Sequence, residues 1–355
     1  MTDRKLTMDF ELTATQQAVA DVVTSVLERD LTWAALVDGG VTALPVPQRL
    51  GGDGLGLPEV GTVLTEVGRH AAITPALATL GLGVVPLLEL ATDEQQDRFL
   101  AGVAEGSALT ASLNEPGTAL PDRPGTTFAG GRLSGTKIGV AYAEQADWMV
   151  VTADRAVVVV SPEADGVRLV RTPTSNGSDE YTVTFDSVAV PDSDVLAGAS
   201  AHRVNQLALA AIGAHVDGLV AGALRLTADY VANRKQFGKP LSTFQTVAAQ
   251  LAEIYIASRT IDLAAKSVIW RLSEGHDAPD VQADLDVLGY WVTSQAPPVM
   301  QLCHHLHGGM GMDITYPMHR YYSTIKDLSR LLGGPSLRLD LLAGRDPVGA
   351  QCSST

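Results

Sequence analysis

Arg234, Lys235, Gln236, Phe237, Gly238, Lys239 and Pro240, followed by Leu241, Ser242, Thr243, Phe244 and Gln245, set three cations, two amides and two aromatic rings on one short stretch. A guanidinium is a planar fork that binds phosphate in bidentate fashion, and two ammonium groups add point charge beside it. Gly238 and Pro240 break any regular element, so these groups sit on a short elbow. Two readings fit the residue types: a solvated basic turn, or one wall of a site for a phosphate-bearing ligand. A second loaded stretch is His304, His305, Leu306, His307, Gly308, Gly309, Met310 and Gly311. Its glycines let a ligand approach the backbone, or simply end a helix. The three histidines have no nearby acidic or cysteine partner set, so no metal site is expected.

The elbow needs two long elements to hold it. Upstream, Val204 to Asn233 carries Leu207, Ala211, Ala214, Leu219, Leu224, Ala228 and Val231 at helical steps; downstream, Phe244 to Leu272 repeats Val247, Leu251, Ile254, Ser258, Ile261, Ala265 and Ile269. The second pattern is apolar on more than one face, which predicts burial on several sides. Pro297 and Pro298 interrupt a further helical pattern between Asp284 and His305; they mark a kink that opens room for a bulky ligand, or an ordinary boundary between two helices. Earlier in the chain, Thr13 with Gln16 spells a capping box before a stripe of Val19, Val22, Val23, Val26 and Leu27. Helices are expected from there to about Ala104. The glycine-rich run from Leu50 to Pro58 lacks a preceding strand and a lysine, so it reads as a structural turn. From Leu109 the texture changes to short β-branched runs: Leu109–Leu113, Thr126–Leu133, Trp148–Thr152, Val157–Val160, Val167–Arg171 and Tyr181–Val190. The expected organisation is α+β: an N-terminal helical domain over 1–108, a middle β domain over 109–199, a C-terminal helical bundle over 200–345 and a flexible tail over 346–355.

Composition narrows the class. The chain has 355 residues, 46% hydrophobic and 18% charged, which fits a globular protein with more than one core. A net charge of −15 argues against nucleic acid and anionic membrane surfaces as partners. No uninterrupted apolar run approaches the roughly 18 residues of a membrane span. Met1 to Phe10 lacks an apolar signal core, and Cys303 and Cys352 offer neither a disulfide framework nor metal spacing. A reducing cytoplasm suits all of this.

Arg-x-x-Phe-Gly-x-Pro-Leu-x-x-Phe-Gln, between two helices, resembles the C-domain signature of the acyl-CoA dehydrogenases. His305 through Gly311 resembles that family's Gln-x-x-Gly-Gly-x-Gly, and Tyr316-Pro317 resembles the entry to its last long helix. Leu113-Asn114-Glu115-Pro116 resembles the family's Thr-Glu-Pro flavin loop, and Gly135, Lys137, Ala146 and Asp147 keep the frame of a second flavin motif. The resemblance implies a helical N-domain, a β-barrel-like middle domain and a C-terminal four-helix bundle. It implies FAD held between the β domain of one subunit and the C-domain of its neighbour. Carried over, Arg234, Gln236, Phe237 and Phe244 would face the cofactor, with His305, Gly308 and Gly309 on its adenosine side. The family reaction takes the α-proton of an acyl-CoA thioester onto a carboxylate while a β-hydride passes to flavin, then onward to an electron-transfer acceptor.

Against that pattern the chain lacks a base. The usual base position falls on Leu332 and the minority position near Ala208, and neither side chain takes a proton. Gly139-Val140-Ala141 stands where the family has Trp-Ile-Thr, and Gly117-Thr118-Ala119 with Leu120-Pro121-Asp122 stands where its flavin loop ends in Gly-Ser-Asp. The C-domain half of the composite site is intact while the β-domain half and the base are degraded. This division resembles the base-lacking subunit of the heterotetrameric acyl-CoA dehydrogenases of actinobacterial steroid degradation, which carry half the usual flavins and act on steroid side-chain CoA thioesters. It implies a homologous partner subunit bearing the carboxylate. Two alternatives stand beside this: a self-sufficient flavoenzyme with a displaced base, Asp217 before Asp313 and Asp327, and a non-catalytic assembly subunit.

Overall fold

A computed structural model describes residues 10–275 and 279–344; the charged N-terminal stretch before Phe10 and the expected tail over 346–355 lie outside the described residues. The chain opens with α1 (Ala14–Leu27), α2 (Trp33–Asp38) and α3 (Leu57–Arg69), then a π-helical stretch, Leu77–Val84, continued by α4 (Val85–Leu90) and α5 (Asp93–Phe99). Thr13 caps α1 through the expected capping box, its hydroxyl accepting from the Gln16 N–H. Val22 departs from the expected stripe and is 43% exposed, because at helical spacing it falls to one side of the face that Val19, Val23, Val26 and Leu27 bury.

Eight strands follow: β1 (Ala108–Ser112), β2 (Thr127–Ala129), β3 (Arg132–Ala141), β4 (Ala146–Thr152), β5 (Val157–Val160), β6 (Val167–Thr172), β7 (Glu180–Ala189) and β8 (Val195–Leu196). They form two four-stranded sheets, ordered β1-β4-β5-β8 and β2-β3-β7-β6, and the single parallel pair among them is β1 with β4. The four valines of β5 show how the first sheet is placed. Val158 and Val160 face a core shared with Leu133, Val183 and Phe185 of the second sheet, while Val157 and Val159 face the helices. Side chains alternate faces along a strand, so a continuous apolar run marks a strand buried on both sides. In β3 the pairing with β7 slips between Lys137 and Val140, so Ile138 and Gly139 bulge out of the ladder.

The helical remainder comprises α6 (Ala201–Asn233), a two-residue ladder of β9 (Lys235–Gln236) and β10 (Lys239–Pro240), then α7 (Gln245–Ser273), α8 (Pro279–Ser294), α9 (Ala296–His307), α10 (Met318–Leu331) and α11 (Gly334–Gly344). Helix α6 is long and apolar enough to cross a membrane, but 89% of its most apolar window is buried inside the fold. It lies against α3 at Gly218, where an added Cβ would come within 1.8 Å of the Thr65 carbonyl oxygen, so only glycine permits the crossing. The prolines Pro297 and Pro298 sit in the first turn of α9, where a missing N–H is harmless, so the helical boundary is the outcome and the cleft-opening kink is not. Helix α7 is only partly covered within one chain: Tyr255 and Ile256 are 56% and 61% exposed, so the several-sided burial its pattern predicts is not supplied by this chain alone.

Candidate functional site

Helix α6 ends at Arg234, and Gln236 pairs with Lys239 to close a two-residue hairpin whose turn residues, Phe237 and Gly238, have φ of 52° and 80°. Positive φ at both positions is the geometry of a tight hairpin turn, and Phe237 adopts it despite its side chain. Its ring is 91% exposed and meets Phe244 edge-on with centroids 6.2 Å apart; the Lys239 ammonium lies 4.3 Å from the centre of the Phe244 ring. Arg234 and Gln236 are exposed, and among the described residues no hydrogen bond or ion pair engages the Arg234 guanidinium or the Gln236 amide. The elbow thus offers an unengaged guanidinium, an amide and two aromatic faces to something outside the chain.

At the end of α9, His305, Gly308 and Gly309 are exposed, and a Cβ built on either glycine meets nothing within 4 Å. His307 is turned inward instead. Its ring nitrogen Nδ1 donates to the Cys303 carbonyl at 2.8 Å, and its ring stacks on Tyr230 at 4.5 Å, tying the end of α9 to the end of α6. The elbow and the glycine turn are therefore two open surfaces held by buried contacts behind them. Among the described residues no group of three or more His, Cys, Asp or Glu side chains is placed to hold a metal.

A separate cleft opens between the N-terminal helices, the first strands, α6 and α10, and none of the elbow residues lines it. Its floor is where the second flavin motif departs from the family. Gly139 lies in the β3 bulge with φ of 68°, and a Cβ there would stand 3.1 Å from the Leu331 side chain. Leu331 therefore occupies the space over Gly139. Its carbonyl accepts from Asn114 Nδ2 at 2.7 Å, and Asn114 Oδ1 in turn accepts the Leu120 N–H at 2.8 Å. The rest of α10 is clasped to the β domain as well: Asp327 accepts the N–H groups of Ser175 and Asn176 at 3.0 and 2.9 Å, and Arg330 pairs with Glu180 at 2.5 Å. Below this, Glu115 accepts from Gly125 and Thr126 and pairs with Lys137 at 2.9 Å. Burial works to raise the Glu115 carboxyl, but the hydrogen bonds from Thr126, Lys137 and Gly125 outweigh it and hold the group down at about 2. The flavin-loop acid and lysine are thus committed to a buried structural pair.

Leu332 and Ala208 are fully buried, each at 0% exposure. Asp217 does not reach the cleft; it is buried among Asp262, Arg69, Lys266 and Arg259, and burial with the Asp262 charge pushes its carboxyl up to about 7. Asp313 is exposed and caps its own turn through Thr315. Asp327 lines the cleft, but the two backbone N–H groups of the clasp engage both its oxygens. No described carboxylate stands free in the cleft. A buried histidine, His215 of α6, does line it, together with Tyr142 and Asn176; a lone histidine in an apolar helix carries no sequence signal that separates it from a core residue.

Residues 11–107 match the N-terminal domain of the acyl-CoA dehydrogenases and residues 204–341 match their C-terminal domain. The chain is 80% identical over 348 residues to the acyl-CoA dehydrogenase FadE28 of Mycobacterium tuberculosis, covering 98% of this chain and 100% of that protein. Among solved structures it is similar to a Tcur3481–Tcur3483 steroid ACAD variant, at 30% identity and a TM-score of 0.86 over 95% of this chain and 98% of that one. It is likewise similar to the ChsE4–ChsE5 complex from Mycobacterium tuberculosis, at 25% identity and a TM-score of 0.86 over 98% and 100% of the two chains. With the α–β–α order, the Arg234 elbow and the glycine turn all in place, the chain belongs to the acyl-CoA dehydrogenase family of flavin-dependent oxidoreductases.

Proposed function

We propose that this chain is one subunit of a heteromeric, FAD-dependent acyl-CoA dehydrogenase, that it lends its C-terminal half-site to a cofactor seated mainly in a partner subunit, and that the partner supplies the catalytic carboxylate. The observation that carries this reading is the pairing of an unengaged, exposed Arg234 elbow with two base positions filled by buried, aprotic Leu332 and Ala208. Arg234 and Gln236 would take the pyrophosphate, Phe237 and Phe244 would wall the cofactor, and His305, Gly308 and Gly309 would border its adenosine side. These residues fit the group: the guanidinium has no competing partner, and the open backbone at Gly308 and Gly309 leaves room for a ligand against it. When bound, FAD supplies the hydride acceptor. The chain's own residues supply orientation, phosphate binding and an apolar wall, with domains divided at about 108 and 199. A general base contributes about 10²–10⁴ in rate, so a homomer of this chain would be a poor dehydrogenase.

The substrate we infer is a steroid side-chain CoA thioester, oxidised across its α,β-bond. The similar structures support this, one being named a steroid ACAD and another a complex of two chains. A displaced base within the chain is disfavoured, because Asp217 lies away from the cleft and both oxygens of Asp327 are occupied. The test is to express the chain alone and together with a homologue that carries a carboxylate at the base position, then record flavin spectra and acyl-CoA oxidation. The pair should hold FAD and turn over while the lone chain holds little. Full flavin occupancy and turnover from the lone chain would sink the reading.

A further inference from the structure

The cleft beside Gly139 is furnished for a ligand even though no free carboxylate among the described residues serves it. Five non-glycine residues of the described chain have left-handed backbone, and three of them, Ala71, Leu120 and Tyr142, line this one cleft. Such conformations cost on the order of 1 kcal/mol or more each and persist where surrounding structure over-determines them, ligand clamps among them. The walls are mainly apolar, with Leu77, Leu82, Ile212 and Leu219 around His215, and they enclose a hollow of about 100 Å³.

His215 is 5% exposed, and its Nδ1 lies 3.1 Å from the Leu64 carbonyl oxygen. A carbonyl only accepts, so Nδ1 carries the hydrogen and Nε2 keeps a lone pair. Among the described residues no side chain or backbone group hydrogen-bonds to that Nε2. Burial pushes the ring down to about 4, against the opposing Leu64 hydrogen bond, so at neutral pH it is an uncharged acceptor. An unmet acceptor in an apolar hollow selects a ligand that brings one donor and no charge. Anions are further disfavoured by Asp327 and Glu180 on the same rim. The size suits a single ring or a short branched hydrocarbon, since an apolar cavity of about 150 Å³ takes up benzene. Leu331 already fills the space over Gly139, so this hollow does not share its contents with a flavin ring stacked there.

We propose that the cleft is a binding site in its own right for a compact, uncharged, mainly apolar molecule carrying one hydroxyl, which donates its hydrogen bond to His215 Nε2. The site goes beyond the dehydrogenase reading and rests on it only in taking the flavin to be seated with the partner. No bond is made or broken there; the site binds its ligand and does no chemistry on it.

The experiment uses the full chain and fluorine NMR titration with two probes of nearly equal shape, para-fluorophenol and para-difluorobenzene. The phenol should bind about tenfold more tightly, the net worth of one buried hydrogen bond. His215→Leu should erase that preference while leaving the difluorobenzene bound. Should that variant fail to fold, Ala78→Leu fills the hollow with His215 untouched and should abolish binding of both probes. Equal affinity of the two probes, a preference that survives His215→Leu, probe binding that survives Ala78→Leu, or no binding of either probe overturns the proposal. Flavin content of the partnered complex, measured on the same variants, should be unchanged. A complex that holds flavin with no phenol preference would therefore leave the dehydrogenase reading standing while removing this site.

Discussion

At the scale of single residues, two cations face opposite fates. Arg234 is exposed and unengaged, so its whole binding capacity is available to a phosphate outside the chain. Arg234→Ala should weaken FAD retention by the partnered complex roughly 10–100-fold, and Arg234→Lys should recover only part of it, because an ammonium lacks the planar fork; equilibrium dialysis of the complex against FAD reads both. Lys137 is 0% exposed and answered by Glu115. Removing that carboxylate strands a buried ammonium, so Glu115→Gln should cost about 3–5 kcal/mol in urea unfolding. The same pair sets an acid limit. The Glu115 carboxyl is held at about 2 in the fold, below its ordinary value near 4.5, so its contribution is present above the ordinary value and lost as pH falls toward 2. The elbow was legible in the sequence because local spacing alone sets its chemistry. His215 and the Leu331–Gly139 contact were not, since they depend on helices and strands that meet only in the folded chain.

Among the elements, the periodic ones could be read and the irregular ones could not. Strand β5 sits where its four valines place it, and α6 and α7 run within a few residues of their apolar patterns. Strand β3 was seen only as far as Leu133, because Gly135 and Gly139 remove the alternation that announces a strand while the bulge still lets the ladder with β7 continue. The π-helical turn at Leu77–Val84 likewise has no local signature apart from its apolarity. The α3–α6–α7 junction carries its own pH dependence through Asp217. Its carboxyl is raised from 3.8 to about 7 by burial and by Asp262, so the junction is most stable where the group stays protonated. That stability is complete below the ordinary value and is lost as pH rises through about 7. Asp217→Asn should flatten this fall of stability with rising pH, a loss of roughly 4 kcal/mol at about 1.4 kcal/mol per unit. A pH series of thermal melts checks it, and an unchanged profile would mean that the acid titrates in its ordinary range.

For the molecule as a whole, the uncovered face of α7 is the feature most at odds with an isolated chain. Tyr255, Ile256 and Leu263 are 56%, 61% and 38% exposed on one helix. A cluster of this kind marks a surface that another protein covers. Ile256→Glu should leave the melting temperature of the lone chain nearly unchanged while shifting the partnered complex toward free subunits, as read by size-exclusion chromatography with light scattering. Gly139 carries a consequence of another kind, one of ancestry. Restoring the indole found at that position in the family would require a large side chain on a backbone held at φ of 68° and in space taken by Leu331. Gly139→Trp alone should therefore lower stability without gaining flavin, and so should relocating Leu331 alone. On the proposed reading, each single step back toward a self-sufficient site costs stability before it gains a cofactor, so packing alone acts as a ratchet that keeps the chain with its partner.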